Sequence, residues 1–368
     1  MRASDDDRDC RAAPGGARGV RRGSRRGASV SLVRDAPGSP PAAAPRRSLA
    51  WSQATIVTYL AAAMFVALAI FLPGFLSPNN LVNLVRNVAV LGILGIGMAT
   101  VVIGRGIDLS IVPIMAVSVA LLFVLVGAGV ATPLAVLLAA GAALLCGAAN
   151  GALIAYVEIP PLFTTLAMGT VALGLGQYFV FSNASVIAPK AIGWLSALGA
   201  GKVAGVPISV FLLLALAAAA HLFLNYTYAG RFIFAIGDNP NAARNSGVPV
   251  RPLIVAHYAI VALLAFFAGL IMATAVNEMN TRIVYSTLPY DIILVVVIGG
   301  VGLSGGKGGV HNVLVGTLLI GILSNGMTIM NLSYTNQKII QSMVLLLAIV
   351  IDGILNPRDE QTSQQGDI

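Results

Sequence analysis

Apolar residues in this chain come in long runs rather than in alternation. Ten runs follow one another, at about 54–73, 81–103, 109–129, 132–157, 162–182, 207–227, 253–276, 289–303, 310–330 and 335–353. Most hold about 20 residues, the length an α-helix needs to cross about 30 Å of hydrocarbon. A closed barrel would need ten-residue strands of alternating polarity, and no such segments occur. The pattern predicts an all-α, polytopic membrane protein of about ten transmembrane segments.

The longest polar interruption runs from Tyr228 to Gly247. Asn239-Pro240 reads as the start of a helix, with Asn239 as cap, Pro240 in the first turn and Gly247 as the stop. Gly237 and Gly247 are expected to turn the chain sharply on either side. The prediction is a short surface helix that leaves the small side chains Ala242 and Ala243 open to a partner's groove.

Two other places break the pattern. Between Val101 and Ser110 an ionisable pair, Arg105 and Asp108, separates two apolar runs. From Asp291 only about a dozen apolar residues precede the glycine-rich stretch ending at Gly309, too few to span alone. Some segments are therefore broken or re-entrant. The two places share Val-Val-Ile-Gly followed by Leu-Ser, which suggests an internal repeat. A second likeness, Gly147…Asn150-Gly151 with Gly321…Asn325-Gly326, implies a different offset. Discontinuous helices in corresponding halves are where transporters often place their pathway.

Composition agrees with a membrane chain: 57% of residues are hydrophobic and 10% charged, against about 25% charged in soluble domains. Eleven of the 22 Lys and Arg fall within residues 1–50, amid Pro, Gly, Ala and Ser. This tail is expected to be disordered and cytoplasmic, a topology determinant rather than a nucleic-acid arm. Alternation then places both termini inside, with a membrane domain at 51–355 and a second cytoplasmic tail at 356–368. Arg46-Arg47 before an apolar run hints at an export signal, but the run is too long and lacks a cleavage site, so it reads as an anchor. Cys10 and Cys146 define no disulfide framework, and His221, His257 and His311 no zinc pattern. Gly305-Gly-Lys-Gly-Gly309 lacks the spacing and the Ser or Thr of a phosphate loop.

Four ordered blocks carry a family resemblance. They are Gly106 to Ser110; Asn150-Gly151 through Pro160-Pro161 and Thr164-Thr165; Gly230 through Pro240 to Ser246-Gly247-Val248; and Val297 through Lys307, ending at Ile351-Asp352. Over about 54–353 the chain resembles the permease subunit of bacterial ATP-binding-cassette importers of ribose, xylose and galactose. The resemblance implies a transport subunit in the inner membrane that is not an enzyme and binds no cofactor. A second permease copy, two ATPase subunits that use the ATP, and a periplasmic or lipid-anchored sugar-binding protein would complete it. It implies that the segment at about 228–252 docks on the ATPase, through Gly230, Arg231, Gly237, Asp238, Asn239, Ala242, Ala243, Arg244 and Gly247. Departures occur: Ile111-Val112-Pro113 stands where the family has Val-Gly-Ser, Asn241 where it has Glu, and His311-Asn312 where it has an aromatic.

Candidate pathway residues are Asp108, Ser110, Asn150, Thr164, Thr165 and Asn325. Asp108 near a membrane is costly and so a functional candidate, or it pairs with Arg105 or caps the following helix. The amides and hydroxyls could meet a sugar or hold helices together. Glu278 and Arg282 fall in an outer loop within reach of a binding protein, and Glu158 in a turn. Other readings are an importer of a branched-chain amino acid, nucleoside or signalling sugar, and an ion-coupled secondary transporter, which would need intramembrane carboxylates.

Overall fold

The computed structural model describes residues 53–355 apart from 183, so the expectations for both tails lie outside the described residues. Its helices are α1 (Gln53–Phe71), α2 (Pro78–Ile103), α3 (Ile111–Gly127), α4 (Thr132–Tyr156), α5 (Pro161–Phe179), α6 (Ser196–Ala200), α7 (Ile208–Tyr226), α8 (Tyr228–Asp238), α9 (Pro240–Asn245), α10 (Val250–Val276), α11 (Leu288–Gly299), α12 (Val310–Ile329) and α13 (Tyr334–Leu355). Four short strands pair as β1 (Ser185–Ile187) with β4 (Glu278–Asn280) and β2 (Lys202–Val203) with β3 (Val206–Pro207). Among the described residues, eight helices are long and apolar enough to cross a membrane, and α3 and α11 are shorter apolar helices. The ten apolar runs and these ten helices correspond one to one. At about 1.5 Å per residue, the 12 residues of α11 reach only partway across the hydrocarbon, as the sequence predicts. Gly300, in the left-handed region, ends that helix.

Contacts between loops sort the helix ends onto two faces. One face holds α8 and α9, and is called the elbow face here. There Gly306 N donates to Ile103 O, Gln53 reaches Val297 O at the end of α11, Leu303 N donates to Asp352, and Arg251 pairs with Glu158. The hairpin face holds β1 and β4, with Asn80 against Asn325 and Thr281 against Ala184. Each apolar helix runs from one face to the other or part of the way.

The structure decides between the two repeat offsets. Shifting α2, α3, α4 and α5 by the interval from Asn150 to Asn325 lays them on α10, α11, α12 and α13. Packing follows the same exchange: α4 lies on α10 as α12 lies on α2, α3 on α10 as α11 on α2, and α3 meets α5 as α11 meets α13. Since α2 ends on the elbow face where α10 begins, the halves are an inverted repeat. The likeness of Val101-Val102-Ile103-Gly104 to Val296-Val297-Ile298-Gly299 is therefore local. Both stretches end helices that arrive at the same face.

The buried core is drawn mostly from α2, α3, α10, α11 and α12. Gly147 and Gly151 let α4 lie against the α10 backbone: a Cβ at either would come within 2.5 Å of Tyr258 O or Val255 Cα. Helices α1, α5 and α13 turn large apolar side chains outward, among them Ile70, Phe179 and Met343. Such exposure suits lipid.

Candidate functional site

The segment from Tyr228 to Gly247 folds as two helices meeting at an elbow. Thr227 Oγ1 accepts from Gly230 N at 3.0 Å and opens α8. Gly230, Ile233, Ile236 and Gly237 are its buried positions, the three-to-four spacing of one helical face. Asn239 is extended, and its Oδ1 accepts from Asn241 N at 3.1 Å and Ala242 N at 2.9 Å, capping α9. Gly247, at φ +80°, closes α9.

Two local expectations need correction. Gly237 makes no turn; it sits inside α8, and the bend falls at Asn239. Its lack of a side chain serves close contact instead, since a Cβ there would lie 1.9 Å from Ile103 O and 2.4 Å from Gly306 N. Ala243 is not open to a partner. It is buried with Ile236 and Val250 in a small cluster that fixes the elbow onto α10. The outward surface is Asn241, Ala242, Arg244 and Asn245. Arg231 is exposed and stacks over Tyr228 at 5.0 Å.

The elbow rests on both breaks in the apolar pattern. Arg105, left-handed at φ 66°, donates from Nε to Ser304 O at 3.0 Å and from Nη2 to Asp238 O at 2.8 Å. Gly306 at φ +71° faces Asp238, where a Cβ would meet Oδ1 at 1.9 Å. The 104–110 loop, the 300–309 turn and the end of α8 are thus stapled at one point.

Beside that point lies a buried knot. Asp108 Oδ1 accepts from the backbone and hydroxyl of Ser110 at the start of α3, and Asn150 donates to Ser110 Oγ at 2.7 Å. Thr165 Oγ1 accepts from Leu109 N and donates to Ile107 O, both at 3.2 Å. Asp108 lies in the loop between α2 and α3; burial raises its carboxyl pKa from 3.8 to about 6, against the hydrogen bonds from Ser110. Four of the six candidate pathway residues therefore converge: Asp108, Ser110, Asn150 and Thr165. Thr164 donates to the Pro160 carbonyl just before its own helix.

Asn325 stands apart, on the hairpin face, in a reciprocal amide pair with Asn80 at 2.8 and 3.0 Å. The pair lines a cavity of about 720 Å³ between α2 and α10 to α13, together with Arg86, Thr287, Asp291, Ser324, Lys338 and Gln341. Lys338 pairs with Asp291 and bonds Gln341, which in turn bonds Ser324 at 2.8 Å. Sequence reasoning passed over most of this wall. Lys338 lies in the first turns of α13. An arginine inside an apolar run, Arg86, was the available signal. His311 is exposed in the first turn of α12.

This is a multi-pass membrane protein with an inverted repeat, a surface elbow seated on its loops and a polar cavity at the opposite face. The chain belongs to the family described as the permease component of the branched-chain amino acid transport system, which matches residues 80–349. It is 33% identical to the ribose import permease protein of Escherichia coli K12, over 76% of this chain and 87% of that protein. It is also 33% identical to the ribose import permease of Bacillus subtilis, over 78% and 89%. The galactofuranose transporter permease of Escherichia coli K12 is 30% identical over 75% and 80%. No solved structure matches the chain.

Proposed function

We propose that this chain is the membrane-spanning subunit of an ATP-driven importer of a monosaccharide, in a bacterial inner membrane. The observation that carries the reading is the elbow seated on both loops through Gly237. ATPase subunits that close on ATP must push on something stiff, and a flexible connection would absorb the stroke. Here α9 is capped, its inner face is packed by Ala243, and its base is bonded by Arg105 from the loop after α2 and packed against Gly306 in the turn after α11. A push on Asn241, Ala242, Arg244 and Asn245 reaches one helix from each half of the inverted repeat. Tilting those halves against each other opens one face as it closes the other.

In this reading the elbow face is cytoplasmic and the hairpin face, with β1, β4, Glu278 and Arg282, meets a solute-binding protein. A second permease copy and two ATPase subunits complete the assembly, and ATP is bound and hydrolysed by those subunits. The named cargoes of the relatives, ribose and galactofuranose, favour a sugar over a branched-chain amino acid. An ion-coupled carrier is disfavoured because Asp291, the carboxylate in the cavity, is held by Lys338. The test is uptake by the importer purified through a tag on this chain and placed in liposomes. Uptake is expected to survive a proton uncoupler and to stop when ATP or the ATPase is left out. Uptake driven by an ion gradient alone overturns the reading.

A further inference from the structure

Among the described residues, the non-glycine residues at positive φ are Arg105, Glu158, Ala204, Asn277 and Asn331. Asparagine tolerates that region, and other side chains enter it at a cost. Arg105 stands out by its place at the end of α2. Arg105 N donates to Val102 O at 3.0 Å and Gly106 N to Val101 O at 2.8 Å. These paired bonds close a helix when the residue after its cap is left-handed, and glycine is the usual occupant of that position. Here it is an arginine at φ 66°, with Gly104 and Gly106 on either side. Strain of this kind persists only where the surroundings hold it in place, and it points to a use.

What the side chain gains is a joint among three segments. Its Nε donates to Ser304 O, in the turn after α11, at 3.0 Å, and its Nη2 to Asp238 O, on the last residue of α8, at 2.8 Å. Both donors belong to one rigid planar fork, which sets how the two carbonyls sit relative to each other. The last carbonyls of a helix have no partner within it and form the negative end of its dipole, where a cation is favourable. The turn is shaped to admit the arginine. Gly305 is left-handed at φ +85°, and a Cβ there would lie 2.4 Å from Arg105 Cγ. Take away the guanidinium and close packing at Gly237 and Gly306 remains, without either charge-assisted bond.

We propose that Arg105 is the positioning residue of the force path: it gives up stability at the end of α2 to fix the elbow against both halves of the bundle. The inference rests on the importer reading, which makes the elbow the place where the stroke of the ATPase enters. Glycine at this position would relieve the backbone, and the stroke would then reach a looser joint.

Arg105→Gly and Arg105→Ala separate the two roles, because both delete the side chain and only alanine keeps the strain. The melting temperature in detergent is expected to rank Arg105→Gly above Arg105→Ala by about 2 °C. Solute taken up per ATP hydrolysed is expected to fall about fivefold or more in both alike, in the reconstituted importer with D-ribose, D-fructose and D-galactose as probes. Arg105→Lys, which keeps the charge and loses the fork, should fall between Arg105→Gly and the unsubstituted chain. Uptake per ATP that follows the melting temperature, or that is unchanged in Arg105→Gly, overturns the proposal. A second measurement needs no partner. Amide exchange over residues 240–245 of the purified chain should rise about fivefold in both variants, and unchanged exchange there overturns the proposal as well. Uptake without ATP by the unsubstituted chain sinks the importer reading, and in that event the exchange comparison alone decides whether Arg105 holds the elbow.

Discussion

The elbow face and the hairpin face both leave buried polar atoms without hydrogen-bond partners, but the packing around them differs. At the elbow face the buried Asp108 Oδ2, Asn150 Oδ1 and Tyr258 hydroxyl lack partners. At the hairpin face Arg86 Nε and Thr287 Oγ1 do. The first group is walled in: even a Cβ on Gly106 would lie 2.3 Å from the Tyr258 hydroxyl. The second group is covered as well, although its residues line a cavity of about 720 Å³ through their other atoms. An unmade hydrogen bond in a sealed place is a cost that close packing carries, and the gain is stiffness. The elbow face is closed and tightly packed, whereas the hairpin face keeps open space beside a polar wall.

The comparison breaks first at Gly237. A Cβ there would press on the backbone of Ile103 and Gly306, which cannot swing aside. Overpacking of this kind costs about 1–3 kcal/mol. Gly237→Val is therefore expected to cut ATP-driven uptake about tenfold or more while ATP hydrolysis and membrane abundance persist. Normal uptake would show that no force passes through this contact.

A smaller effect is expected in the knot. Asp108→Ala removes an acceptor serving the Ser110 backbone and hydroxyl at the head of α3. The loss should be about 1–3 kcal/mol, read as a fall of several degrees in the detergent melting temperature. Asn150→Leu should lower it by a similar amount, and the double variant by less than the sum, since both act through Ser110. Full additivity would mean that the knot is not one unit.

Weaker still is the cap of α9. Asn239→Ala should cost about 1 kcal/mol and raise amide exchange over residues 240–245 about fivefold, without changing the melting temperature of the bundle. Ala242→Trp and Ala243→Trp sharpen the same point. The exposed position should lose ATPase binding with the elbow intact, and the buried one should loosen the elbow itself.

The smallest effect belongs to the ion pair of Arg251 and Glu158, both exposed. Such pairs contribute about 0–1 kcal/mol, so Glu158→Gln should leave melting temperature and uptake within error. A clear loss would mean that the 157–160 turn belongs to the force path.

Much of this was legible in the order of residues. Runs such as Ala54 to Leu72 specify spanning helices because lipid leaves the backbone no partner but itself. Asn239-Pro240 specifies a cap because both residues act on the nearest turn. Gly300 ends α11 for an equally local reason. Such features depend on neighbours within a few positions, and the chain alone determined them.

What the three-dimensional structure decided depends on residues far apart. Gly237 reads as a hinge until Ile103 and Gly306 are seen against it, and Ala243 as free until Ile236 and Val250 cover it. The choice between two repeat offsets needed the antiparallel course of α2 and α10. Arg86, Thr287 and Gln341 share a cavity wall only because α2, α11 and α13 converge. Apolar runs are alike to lipid, so their pattern says that each helix crosses but not which helices touch. Side-chain shape and the few polar contacts between helices settle that, and those are properties of the packed bundle.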